Sequence, residues 1–188
     1  METSLRADAA RNEAAILGAA KEVFASEGVD APLDSVLRLA NVGRATLYRR
    51  FPTREDLFAA ILRQEVENLT HFAEELSGAA DPDEATRRWL SRWDTVGGQY
   101  RGMASRVGRS IAEGEGPLAR LCEPMRQAFA SLVKRAQKDG HLRRDLGADD
   151  ILALLSALTR QADGRADAIQ ISVVLDGLYG QQNTHLRR

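Results

Sequence analysis

Leu33-Asp34-Ser35-Val36-Leu37-Arg38-Leu39-Ala40-Asn41-Val42-Gly43-Arg44-Ala45-Thr46-Leu47-Tyr48-Arg49-Arg50-Phe51 reads as two short helices joined by a tight turn. Leu33, Val36, Leu37 and Ala40 recur at the i, i+3, i+4, i+7 spacing of one helix face. Asn41-Val42-Gly43 is the turn, and Asn and Gly are the residues that best tolerate positive φ. Arg44 to Arg50 forms the second helix, which Pro52 prevents from continuing. A unit of this size lays one helix in the major groove of duplex DNA. From Arg38 to Arg54 there are five arginines and no acidic residue, on a chain whose net charge is -1. The positive stretch is therefore a local footprint and not an effect of composition.

Outward from this unit nearly everything reads as helix. Upstream, Asn12 to Glu27 puts Ile16, Ala19, Ala20, Val23 and Phe24 on one face, and Gly28 stands where a left-handed C-terminal cap belongs. Asp30-Ala31-Pro32 restarts the chain, with proline near the first helical position. Downstream, Thr53 with Asp56 is a variant capping box for a fourth helix that carries Leu57, Phe58, Ile61, Leu62, Val66, Leu69 and Leu76. That helix would run about 23 residues, or roughly 35 Å. Ser77 to Pro82 is the clearest linker.

A second unit restarts at Pro82, capped by Asp81, with Ala85, Trp89, Trp93 and Val96 on one face and Gly97-Gly98 ending or bending the helix. Tyr100, Ala104, Val107 and Ile111 suggest another helix, and Gly114 to Pro117 a loop. From Leu118, the positions Leu121, Met125, Ala128, Leu132 and Ala136 form a narrow stripe close to a heptad seam; Pro124 within it kinks or begins that helix, and Gly140 ends it. Asp149-Asp150 opens a helix, Asp163-Gly164-Arg165 is a turn, and Asp167 opens the last helix. These two final helices are apolar on more than one face, whereas a surface helix needs one stripe. Pairing with a second copy uses the surplus: two helices from each chain make a four-helix interface about a two-fold axis. Leu154, Leu155, Leu158, Ile171, Val174 and Leu178 are the candidate dimer contacts.

The 188 residues suffice to bury a real core, and 44% hydrophobic with 28% charged residues marks a globular chain. No apolar run approaches the ~20 residues of a bilayer span, and residues 1–11 hold no signal-peptide core, so a cytoplasmic protein with no membrane partner is expected. The lone Cys122 can form neither an internal disulfide nor a CxxC site. A glycine-rich phosphate loop, an HExxH helix, a serine elbow and the paired Glu-x-x-His of a di-iron bundle are all missing. No enzyme activity, cofactor or metal is expected.

The first ~65 residues resemble the tetracycline-repressor (TetR) family of bacterial transcription regulators. The matching residues are Ile16-Leu17, Ala20, Val23 to Gly28, the helix-turn-helix Val36 to Phe51, and Pro52 to Phe58; Thr46-Leu47-Tyr48 with Phe51 and Arg54-Glu55-Asp56-Leu57 is a specific combination. The resemblance covers about a third of the chain. It departs at Asn41, where the family has glycine, and at Gly43, where a serine-like cap is common. Arg50 stands for histidine or tyrosine, and Ala31-Pro32 for a phosphate-binding threonine. These departures bear on which operator is read, not on the fold. The resemblance implies an all-α protein: residues 10–56 a helix-turn-helix DNA-binding domain, 57–76 a linking helix, and 77–188 a helical domain for effector binding and dimerisation.

Within that frame Arg44, Thr46 and Arg49 are the residues expected to face bases, with Ala45 beside them; arginine binds guanine O6 and N7 with two hydrogen bonds. Tyr48 resembles the family tyrosine that bonds backbone phosphate, and Arg54 the basic residue that meets DNA from the fourth helix. Arg50 either contacts phosphate or covers the fourth helix with its stem. Arg11 opens the first helix, a poor place for a cation unless phosphate is near. Leu47 and Phe51 lock the recognition helix to its neighbours. Trp89, Trp93, Tyr100, Met103, Met125 and Phe129 are the candidate effector-pocket lining, against the plainer reading of an ordinary core. The arginines at 87, 88, 92, 101, 106 and 109 form either a solvated, salt-bridged face or a lining for an acidic effector. His71 follows Glu67 by four residues, which makes a pair without a site. The function that follows is a homodimeric regulator, a repressor released by a small molecule, with recognition helices roughly 34–36 Å apart. The rivals are a DNA-binding factor without an effector and an all-helical metal or cofactor carrier.

Overall fold

The structure, a computed structural model, describes residues 2–140, 142–158 and 168–179. Among these residues there are nine helices and no strand: α1 (Glu2–Glu27), α2 (Leu33–Ala40), α3 (Arg44–Arg50), α4 (Arg54–Leu76), α5 (Pro82–Gly97), α6 (Met103–Glu113), α7 (Gly116–Asp139), α8 (Ala148–Leu158) and α9 (Ala168–Tyr179). The expected turn at 163–165 and the helix start at Asp167 lie outside the described residues.

The helix ends sit where local chemistry puts them. Gly28 takes a positive φ after α1, and its amide donates to the Phe24 carbonyl at 3.1 Å. At Thr53 the capping box is complete: the Asp56 amide donates to Thr53 Oγ1 at 3.1 Å and the Thr53 amide donates to the Asp56 carboxylate at 2.9 Å. The Asp81 carboxylate accepts from the amides of Asp83 and Glu84 at the start of α5.

Three expectations change. α1 begins at Glu2, not Asn12; residues 7–12 are exposed, so this stretch is helical by propensity and carries no apolar period to betray it. Arg11 consequently sits well inside the helix and pairs with Asp8, which removes the macrodipole argument for a phosphate there. Tyr100 precedes α6 rather than belonging to it. α7 starts at Gly116 and runs through Pro124, and its buried stripe is Leu118, Cys122, Met125, Phe129, Leu132, Val133 and Ala136. That is a helical face of ordinary period; Leu121 and Ala128 of the expected heptad seam are only partly buried.

One apolar core runs through the chain. In its N-terminal part Ile16, Ala20, Val23 and Phe24 of α1 join Val36, Leu47, Phe51, Leu57 and Phe58, with Phe24 and Phe58 edge to face at 5.2 Å between centroids. α4 carries this core into the second unit, where α7 packs along it and also touches α5, α6 and α8. Arg135 fastens the far end, donating to the carbonyls of Leu76, Ser77 and Ala79. No helix among the described residues is long and apolar enough to cross a membrane.

Candidate nucleic-acid interface

The recognition unit is set by the turn between α2 and α3. Asn41 adopts φ 52, ψ 46; its amide reaches the Arg38 carbonyl at 3.3 Å, and the next amide, Val42, reaches the Leu37 carbonyl at 3.2 Å. This pair of bonds is a Schellman termination with asparagine in the left-handed seat. Gly43 is extended, caps α3 without a side chain, and accepts from the amides of Thr46 and Leu47. Leu47 and Phe51 are buried, which fixes the roll of α3. The opposite face then presents Arg44, Ala45, Tyr48 and Arg49 to solvent; Tyr48 keeps 43% of its surface exposed, a large value for tyrosine, while Thr46 is half-buried.

The arginines of this face differ in what holds them. The Arg44 guanidinium donates to Asp34 of α2 at 2.6 Å. Arg50 pairs with Glu13 of α1. Arg49 has no hydrogen bond or ion pair among the described residues. Arg54 Nη1 donates to the carbonyls of Val29 and Ala31 at 2.7 and 2.9 Å, so this edge of its guanidinium ties α4 to the α1–α2 joint. Burial, with Arg106 nearby, pushes the Arg54 guanidinium below its ordinary value. The acidic partners Asp34 and Glu13 went unseen in sequence because each lies on another helix; only their absence from the 38–54 run hinted that countercharge came from elsewhere.

The same joint is held from the second unit. The Val29 amide donates to the Arg101 carbonyl at 3.0 Å, and Arg101 Nη2 donates to the Glu27 carbonyl at 2.8 Å. Arg106 pairs with Asp30 and lies over the Phe58 ring, 5.4 Å from its centroid. Gly102 has φ +88, and a Cβ there would stand 2.9 Å from Val29 Cγ2, so only glycine lets the α5–α6 connection come this close. Much of the arginine-rich run therefore fastens helices and rings: Arg101 and Arg106 here, Arg87 over Tyr179 at 3.9 Å, and Arg92 over Phe72 at 5.1 Å.

The six side chains Trp89, Trp93, Tyr100, Met103, Met125 and Phe129 come together, all buried. Trp89 stacks on Phe129 at 4.1 Å and on Trp93 at 5.9 Å, and its Nε1 donates to the Leu69 carbonyl at 2.9 Å. Trp89 and Trp93 come from α5 and Met125 and Phe129 from α7, while Met103 opens α6 and Tyr100 stands in the connection before it. Burial, then Glu65, pushes the Tyr100 hydroxyl up. Two clefts open elsewhere, one between α4 and α7 and one between α4 and α5, and none of the six lines either. Of the candidate dimer contacts, Leu155 and Leu178 lie in the protomer's own core, Leu158 and Val174 are half-buried, and Leu154 is 44% exposed. The side chain of Ile171 lies outside the described residues. Val173, which sequence reasoning passed over, is 64% exposed on α9. His71 meets Glu74 at 3.1 Å, not Glu67. Among the described residues no group of three His, Cys, Asp or Glu is arranged to hold a metal.

Residues 16–61 match the profile of bacterial regulatory proteins of the tetR family, and residues 81–179 match that of the C-terminal domain of SbtR-like transcriptional regulators. The chain is similar to the TetR transcriptional regulator SCO0520 from Streptomyces coelicolor, at 36% identity over 89% of this chain and 98% of that one, with a TM-score of 0.53. It is also similar to a TetR regulatory protein from Mycobacterium vanbaalenii, at 30% identity over 93% and 99% of the two chains, with a TM-score of 0.45. The fold alone is shared with the TetR family regulator PfmR from Thermus thermophilus, at 17% identity over 90% and 99% and a TM-score of 0.61. No curated protein matches the sequence.

Proposed function

Because this chain belongs to the TetR family of DNA-binding transcriptional regulators, we propose that it is a homodimeric repressor whose hold on its operator is released by a small molecule. The observation that carries the reading is the exposed face of α3, with Tyr48 outward beside an Arg49 whose side chain has no partner among the described residues, and Leu47 anchored inward. On this proposal Arg49 and Arg44 read base edges, Ala45 and Thr46 lie against the groove wall, and Tyr48 and Arg50 meet phosphate. Arg54 acts one step back, holding the α1–α2 joint at the height from which α3 enters the groove.

The α5–α6 connection supports a route for the effector's signal. Tyr100 and Met103 belong to the buried aromatic set, while Arg101 and Gly102 between them grip the α1–α2 joint. An effector that repacks Trp89, Trp93, Met125 or Phe129 moves the same four-residue strap that positions the DNA-binding unit. It shifts the equilibrium only by its differential affinity for the two arrangements. Dimerisation through α8 and α9, residues 77–188 being the effector and dimer unit, delivers two copies of α3 to a near-palindromic site.

Selection of bound duplexes from a random pool by the purified protein tests this. A two-fold symmetric consensus that loses its base preference at one position per half-site in Arg49→Ala is the expected result. A pool that stays random, or a consensus untouched by the substitution, overturns it.

A further inference from the structure

We infer that the cleft between α4 and α7 is a second binding site, one that takes a small organic anion with an apolar body. The two helices run parallel: Gly116 at the start of α7 lies on Glu55 at the start of α4, and Arg135 near the end of α7 bonds the carbonyls of Leu76 and Ser77 at the end of α4. Between these two fastenings opens a cleft of about 640 Å³, within the ordinary range for small-molecule sites of roughly 300–1,000 Å³.

Its chemistry is specific. Arg63 and Arg120 line it from opposite helices, and neither has an ion pair among the described residues. The parallel register sets Arg120 roughly one helical turn, about 5 Å, from the level of Arg63, a spacing that lets two guanidinium groups share one carboxylate, sulfonate or phosphate. The competing polar groups are largely spent: Asp56 closes the capping box, Thr70 donates to the Val66 carbonyl at 2.8 Å, and His71 meets Glu74. Glu67 is the remaining carboxylate, and it sits a turn beyond Arg63, toward the far end of the cleft. Val66, Leu121 and Pro117 supply apolar wall. Pro124 on the same wall has no N–H to give the Arg120 carbonyl, which leaves a backbone acceptor for a hydroxyl or amine of the ligand.

Occupancy has a direct line to the DNA-binding unit. A Cβ on Gly116 would come within 2.6 Å of the Glu55 carboxylate, so the first turn of α7 is in tight contact with the residue that follows Arg54. A ligand that spreads α7 from α4 shifts the turn carrying Arg54, and with it the carbonyls of Val29 and Ala31. This regulatory half rests on the DNA-binding reading above; the binding half does not.

The test uses the full chain and anilinonaphthalene sulfonate, a fluorescent organic anion. One saturable site per chain is expected, weakened at least about tenfold in Arg63→Gln/Arg120→Gln by loss of charge-assisted hydrogen bonds. It should be unchanged in Arg88→Gln/Arg92→Gln at the α4–α5 cleft, and lost in Leu121→Trp, which fills the apolar wall. No saturable binding, equal affinity in the first double variant, or equal loss in both double variants overturns the site. If the first double variant loses its helical circular dichroism, the Leu121→Trp result decides alone. A selected duplex followed by fluorescence anisotropy then reads the coupling: a several-fold change in duplex affinity at probe saturation supports it, and no change overturns the regulatory half. A chain that binds the probe as described but no duplex at all keeps the site and sinks the DNA reading instead.

Discussion

Arg44 and Asp34 pose the sharpest question at the scale of single residues, because an arginine proposed to read bases is held by a carboxylate in the free protein. Both side chains are well exposed, so the pair adds little to stability, about 0–1 kcal/mol. On the proposed reading its effect falls on binding: the carboxylate would aim Arg44 and would also face the phosphates as a like charge. Asp34→Asn is expected to leave the melting temperature nearly unchanged, to tighten binding to any duplex by about 1 kcal/mol at low salt, and to relax base preference where Arg44 reads. Anisotropy titrations against selected and scrambled duplexes check this, and weaker binding to both would reverse the assignment. Cys122 gives a second residue-scale prediction. It is fully buried, and burial raises its thiol to about 12 from an ordinary 9. The native protein should resist iodoacetamide near pH 8 until it unfolds. Since the folded chain keeps this proton and the unfolded chain releases it above pH 9, the stabilisation from this group is whole below 9 and is lost as the pH climbs toward 12. Urea midpoints on either side of pH 9 should therefore fall less steeply in Cys122→Ala than in the parent.

Helices and their joints were legible in the sequence to the extent that their signals are local. Asn41, Gly28, the Thr53–Asp56 pair and Asp81 each end or start a helix with atoms at most five residues away, and each was readable. The first turns of α1 were not, because an exposed helix carries no apolar period. Arg54 marks the limit of a local window: the carbonyls that take its Nη1 stand 25 and 23 residues away, and nothing near it in sequence announces that this edge of the guanidinium is bound to backbone. Likewise Trp89 and Phe129 have the same composition whether they line a cavity or fill it. The joint offers a test at this scale. Gly102→Ala places a Cβ at 2.9 Å from Val29 Cγ2 at a φ that disfavours side chains, so the strap must retreat from α1 and α2. Stability should drop by roughly 1–3 kcal/mol. DNA affinity should fall further than in Thr53→Ala, a cap deletion worth about 1 kcal/mol that leaves the strap in place. Paired urea melts and duplex titrations separate the two; equal losses of DNA binding at equal stability would remove the strap's special role.

For the molecule as a whole, the proposed two-fold delivery of α3 would depend on what the last two helices leave uncovered. Leu155 and Leu178 are consumed by the protomer's own core, whereas Leu154 on α8 and Val173 on α9 keep 44% and 64% of their surface exposed. Periodicity alone could not make this division, since both helices are apolar on several faces and the sequence does not say which face a neighbour takes. Tyr179 pins α9 to α5, its hydroxyl donating to the Asp83 carbonyl at 3.2 Å and its ring lying under Arg87, so the exposed residues are presented on a fixed frame. Leu154→Glu with Val173→Glu should therefore give a folded, helical monomer, because each carboxylate sits in water in the isolated chain yet would be stranded in an apolar dimer interface. Leu155→Glu buries its charge in the core and should unfold the protein instead. Sedimentation and circular dichroism distinguish these outcomes. The monomeric double variant should bind a single half-site weakly and gain little from the second half-site, whereas the parent gains by linkage of the two recognition helices. A double variant that remains dimeric at micromolar concentration would move the two-fold axis away from α8 and α9.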